Sequence, residues 1–154
     1  MRKILFIFFV LFSFVLKSQV TSGLVLHLDA RDTNSYSGSG NTWNDLSGNN
    51  YNATINGATF NSNGKYFYFD GSNDYVNTNK TASQFGIYNT NYTMEAVFRV
   101  PNTSRGDNMV FGTNQTSTGR GLHNGTRNSK FYFGHYSQDI ASGDIVSTNT
   151  WYHV

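Results

Sequence analysis

Hydrophobic residues in this chain fall in short stretches, most of them alternating with polar ones. Residues 92–100 give the clearest case: Met94, Ala96, Phe98 and Val100 share one parity, while Thr93, Glu95, Val97 and Arg99 share the other. A period of two is the signature of a half-buried strand, and Pro101 ends it because proline cannot donate to a ladder. Residues 130–136 repeat the pattern, with Phe131, Phe133 and His135 alternating with Tyr132, Gly134 and Tyr136. Residues 66–69 (YFYF) read as another strand, and 24–28 (LVLHL) as a nearly continuous, buried one. Weaker strands are expected at 53–55, 58–60, 75–78, 108–113, 121–124 and 145–146, and one begins at 151–154. Asn56-Gly57 predicts a hairpin between 53–55 and 58–60, and the turn at 70–74 predicts a second between 66–69 and 75–78. Thr42 is placed to cap one helical turn over 42–46. Residues 80–88 read as a loop or one short helix, and 115–128 as a polar loop. Eight to ten short strands at this spacing predict an all-β sandwich or barrel.

Composition narrows the class. Asn, Thr, Ser and Gly supply 67 of 154 residues, Glu occurs once and Cys never. A long-helix protein and a disulfide scaffold are both excluded by those counts. Aromatic residues make up 16% against 13% charged, the reverse of a disordered chain.

The first residues stand apart. Arg2 and Lys3 precede an apolar run, 4–16 (ILFIFFVLFSFVL), which is short for a membrane span of ~20 residues and matches the core of a secretory signal peptide over 1–19. Its removal takes away Arg2, Lys3 and Lys17, leaving eight basic against nine acidic residues. No Lys/Arg cluster survives, which argues against a nucleic-acid partner. No later segment is apolar enough to span a membrane. An exported chain without Cys fits a bacterial origin.

Five fragments in order carry a resemblance. They are 24–30 (LVLHLDA), 43–49 (WNDLSGN), 69–76 (FDGSNDYV), 92–98 (YTMEAVF) and 151–154 (WYHV). Together they resemble the laminin-G-like branch of the concanavalin A-like lectin/glucanase superfamily, over 23–154. The resemblance implies a jelly-roll β-sandwich of two antiparallel sheets. It also implies further strands after 151–154, so the sequence is expected to be the front part of such a domain.

Chemistry is sparse. The glycanases of that superfamily present paired carboxyl groups, commonly as Glu-x-Asp-x-x-Glu on one strand. Here Glu95 is followed by Ala96, Val97, Phe98 and Arg99, with no second acid. No Gly-x-Ser-x-Gly elbow and no His-x-x-x-His spacing occurs. Catalysis is therefore not expected in this segment. His27 reads as a hydrogen-bonded packing residue and Trp43 with Leu46 as a packing anchor for a long polar loop. Two readings stand for Asp45 and Asn49: Asx-turn residues bonding their own backbone, or part of the six to eight oxygens a calcium ion requires. Phe inward and Tyr outward on the two aromatic strands leaves Tyr66, Tyr68, Tyr132 and Tyr136 to stack on a sugar ring. The expectation is an exported or cell-surface recognition or adhesion module for polysaccharide, or for a surface protein. Its alternatives are the front of a glycoside hydrolase and a structural spacer.

Overall fold

The computed structural model describes residues 20, 22–103, 106–113, 117–118 and 121–154. The export segment read at 1–19 lies outside the described residues. Every regular element among the described residues is a strand, and all pairings are antiparallel. The chain divides into two compact units, Met1–Asn91 and Tyr92–Val154.

The first unit holds β1 (Thr42–Trp43), β2 (Ala53–Asn56), β3 (Thr59–Asn61), β4 (Tyr66–Tyr68) and β5 (Tyr75–Asn77). They form a three-stranded sheet, β1-β2-β5, and a two-stranded one, β3-β4. Neither expected hairpin exists. Asn56-Gly57 carries the chain from one sheet to the other, and the 70–74 turn carries it back. Gly57 holds a positive φ of 78°, and a Cβ there would collide with the Asp74 carboxylate. The Asn-Gly signal thus marks a left-handed turn, here a crossing between sheets. The true hairpin is β3-β4, closed by Lys65 N–H donating to Asn61 C=O at 2.8 Å.

Alternation gives that hairpin two faces. Phe60 and Phe67 lie opposite each other and pack edge-on against Tyr36 at 4.8 and 4.7 Å, with Trp43 4.6 Å from Phe67. Thr59, Asn61, Tyr66 and Tyr68 occupy the other face. Trp43 is the expected anchor, but on a strand instead of a helical turn, because Thr42 and Trp43 pair with Thr54 and Ala53. The 24–28 segment is half-buried, as its apolar character demands, yet it joins no ladder. Side chains of the 45–49 loop and the Leu46 N–H take its backbone groups instead. Ser, Asn and Asp offer the backbone such local partners in competition with a sheet. Residues 81–87 form turns, with no helix.

The second unit holds β6 (Val97–Arg99), β7 (Asp107–Gly112), β8 (Leu122–Arg127), β9 (Lys130–His135), β10 (Gln138–Ile145) and β11 (Trp151–His153). β10-β9-β8-β7 make a four-stranded sheet, and β11-β6 a two-stranded one. The alternation over 92–100 holds residue by residue, ending at buried Val100. Phe98 and Tyr152 meet Phe131 at 6.3 and 5.1 Å, and Tyr92 meets Phe133 at 6.3 Å. The small sheet therefore meets β9 at Phe131, and Tyr92, ahead of β6, meets Phe133 and His135 on the same side of β9, the inner face. β8 contains most of the weaker strand expected at 121–124 and extends it to Arg127, within the 115–128 stretch read as a polar loop. Its polar residues sit on a sheet, and the turn Asn128-Ser129, with φ of 50° and 60°, folds it onto β9. Two residues of positive φ match the twist of the strands they join.

Phe67→Ala should destabilise the chain by about 3 kcal/mol by emptying the aromatic cluster, whereas Tyr68→Ala, at a residue 51% exposed on the opposite face, should change stability by less than about 0.5 kcal/mol. Urea unfolding monitored by Trp fluorescence measures both.

Candidate functional site

The outer face of the four-stranded sheet gathers most of its chemistry. Register places His123 and Asp139 each directly opposite Gly134, from the strands on either side. Two side chains separated by a strand ordinarily cannot touch across it. Gly134 has no side chain to hold them apart, and His123 Nε2 meets Asp139 Oδ1 at 2.5 Å. A Cβ at Gly134 would lie 2.6 Å from both Asp139 Cα and Asp139 Oδ1.

From that pair a continuous chain of hydrogen bonds crosses the sheet. Tyr132 O–H donates to Asp139 Oδ2 at 2.8 Å and accepts from Arg127 Nη1 at 2.6 Å. Arg127 donates from Nε and Nη2 to the two oxygens of Asp107, its cross-strand partner on β7. The rings reinforce the order. His123 stacks on Tyr132 with centroids 5.6 Å apart and planes 12° apart, and the Arg127 guanidinium carbon lies 4.2 Å from the Tyr132 centroid. Strands β7, β8, β9 and β10 thus each contribute. The network is graded in exposure, from the largely covered His123 and Asp139 side chains, at 16% and 15%, to Asp107 at 53%.

Electrostatics follow from these contacts. Burial raises the Asp139 carboxyl pKa, but the bonds from Tyr132 and His123 and the charges of His123 and Arg127 outweigh it, and the net direction is downward. The same Asp139 bond raises the Tyr132 hydroxyl, burial adds to it, and Arg127 opposes it. Asp107, first through its hydrogen bond, holds Arg127 above its ordinary value. The result is an ionised carboxylate and a phenol that keeps its proton.

The inner face differs in kind. His135 accepts or donates at Nε2 with the Tyr92 hydroxyl, 2.9 Å away, and burial raises the Tyr92 pKa. Beside it, an open groove of about 240 Å³ lined by Phe131, Phe133, Ile140 and Val154 is mainly apolar. Glu95, just ahead of β6, pairs with His153 of β11 at 2.5 Å, and both side chains are exposed.

The four tyrosines named from sequence divide between the units. Tyr66 and Tyr68 share the polar face of β3-β4, where Tyr66 accepts from Asn61 Nδ2 at 3.2 Å. Tyr132 lies within the outer-face network. Tyr136, 43% exposed, is in the turn after β9 and shares the parity of Tyr132. The sequence reading missed Asp107, His123, Arg127 and Asp139. Extending the strand parity of β9 to its neighbours would have aligned them, but that required the register.

Asp45 forms a closed turn. Oδ1 accepts the N–H groups of His27 and Ser47, each at 2.9 Å, while Oδ2 accepts the Ser47 hydroxyl at 2.7 Å and the Tyr51 N–H at 3.0 Å. Asn49 turns its Nδ2 toward the carbonyls of Leu24 and Val25. Donors therefore surround the carboxylate where a calcium ion would need oxygens, so these two residues do not fit a cation. Among the described residues, no group of three or more His, Cys, Asp or Glu side chains is placed to hold a metal.

No family model, curated protein or solved structure matches this chain.

Two results follow for Asp45. Millimolar calcium should leave the melting temperature where a chelator leaves it, and a rise of several degrees would contradict the closed turn. Burial raises the Asp45 pKa, but its four hydrogen bonds outweigh that and lower it below 3.8. A carboxylate lowered on folding stabilises fully above its unfolded value, and that contribution disappears as pH falls through the folded value. The melting temperature should hold between roughly pH 7 and 5, then fall below about pH 4, with a smaller fall in Asp45→Asn.

Proposed function

We propose that this chain is an exported, non-catalytic recognition module that binds polysaccharide. The observation that carries the reading is the outer face of the β7–β10 sheet, where aromatic rings and fixed hydrogen-bonding groups lie side by side. Sugars are recognised by that combination: a ring stacks on the apolar faces of the pyranose, and planar polar side chains pair with its hydroxyls. Asp107, held by the Arg127 fork and exposed at the sheet's edge, supplies acceptors of fixed direction. Tyr136, exposed and of the same parity, extends the aromatic surface.

The acid–base character of Asp139 does not fit the proton donor of a glycosidase. A glycosidase needs one carboxylic acid that keeps its proton near neutrality, and therefore a raised pKa. Asp139 is moved the other way. Export rests on the apolar run at 4–16 behind Arg2 and Lys3, and on its brevity as a membrane span. Among the described residues, no helix is long and apolar enough to cross a membrane.

A glycan array probed with the full chain is expected to return polysaccharide ligands. Tyr136→Ala should weaken the interaction by about tenfold, the scale of ~1.4 kcal/mol for a lost stacking contact, whereas the Tyr132 ring is already packed between His123 and Arg127. An empty array beside clear capture of a purified surface protein would replace polysaccharide with protein as the ligand.

A further inference from the structure

We infer that the outer face selects uncharged polysaccharides, and that Asp107 is the residue that turns acidic ones away. This rests on the polysaccharide-binding reading and names the class of chain it takes. The argument begins with Arg127. A guanidinium is the natural clamp for a uronate carboxylate or a sulfate, because its parallel N–H groups match two oxygens at once. In this protein that fork is already filled. Nε and Nη2 face the two oxygens of Asp107, and Nη1 faces the Tyr132 hydroxyl. An anionic ligand would have to displace a carboxylate held by the same geometry, and would then lie against it.

The remaining positive groups follow the same pattern. His123 gives its Nε2 to Asp139. Lys130, at the head of β9 with the parity of Tyr132, is exposed, and a single exposed ammonium holds a carboxylate weakly in salt. Among the described residues of this face, Asp107 and Asp139 lie against Arg127 and His123, so Lys130 is the one exposed basic side chain offered to an acidic polymer. Exclusion by an occupied cation is specificity by repulsion, added to whatever attraction the face has for neutral hydroxyls. A neutral sugar does not compete for the fork: it can donate hydroxyls to the exposed Asp107 carboxylate and stack on Tyr136 while the network stays whole.

Affinity electrophoresis of the full chain tests this with five polymers in the gel: laminarin, xylan and galactomannan as neutral probes, alginate and polygalacturonate as acidic ones. The wild-type chain is expected to be retarded by at least one neutral polymer and by neither acidic one. The apparent affinity for the neutral polymer should change less than about twofold between 0.05 and 0.5 M NaCl, since no ion pair is formed. Asp107→Asn frees the guanidinium, and should gain salt-sensitive retardation by the uronates. Its circular dichroism should be unchanged, since Asp107 is exposed at the sheet's edge. Uronate retardation of the wild-type chain, lost at high salt, would overturn the selectivity and leave polysaccharide binding standing. Retardation by a neutral polymer with no gain in a folded Asp107→Asn would remove Asp107 from the selection. No retardation by any polymer would overturn both the selectivity and the polysaccharide reading.

Discussion

Strand β9 divides its side chains between two environments, and the second unit is organised around that division. Phe131 meets Phe98 and Tyr152 of the small β11-β6 sheet, and Phe133 and His135 meet Tyr92, ahead of β6. Tyr132 and Gly134 face the opposite way. The alternation is a geometric necessity of an extended chain, and a shift of one residue would exchange the two sets. The apolar contacts therefore fix the register that brings Asp107, His123, Arg127 and Asp139 into line. Packing on one face holds the chemistry on the other.

Within that frame the smallest residue has the largest local consequence. Gly134 weakens a strand by its backbone freedom, a cost of roughly 0.5–1 kcal/mol relative to alanine. Its lack of a Cβ lets an imidazole and a carboxylate from separate strands meet above it. The contact then orients Tyr132 through the second oxygen of Asp139. Asp45 plays a comparable role in the first unit, where one carboxylate ties 24–28 to the 45–51 loop without a ladder between them. In a chain with few charges, Asp45 and Asp139 are each placed where several donors converge.

What the sequence made legible was what depends on nearest neighbours along the chain. The all-β character, the two faces of 92–100 and 130–136, the inward Phe67 and the anchoring Trp43 all follow from alternation and composition. What depends on pairing partners did not. Asn56-Gly57 and the 70–74 turn carry real turn chemistry, but turn residues do not say whether the next strand joins the same sheet. β8 was undercounted because LHNGTR has little apolar content; it is held by neighbours on both sides. The outer-face network was out of reach for the same reason. Its members are spread over 33 residues, from Asp107 to Asp139, and only register makes them adjacent. The tyrosines were legible as outward-facing, whereas the groups that hold Tyr132 in place were not.

The imidazole nitrogen spectrum of His123 tests the central claim most directly. Long-range proton–nitrogen correlations on the full chain, compared between wild type and Gly134→Ala, report whether His123 and Asp139 meet over the glycine. In the wild type, a slowly exchanging, downfield proton is predicted on Nε2 of His123, shielded by its bond to Asp139. In Gly134→Ala that proton should exchange freely, with amide shifts concentrated on β9 and β10, where the added Cβ meets the backbone of Gln138 and Asp139. A freely exchanging His123 proton in the wild type, or a protected one that survives the added methyl group, would contradict the account.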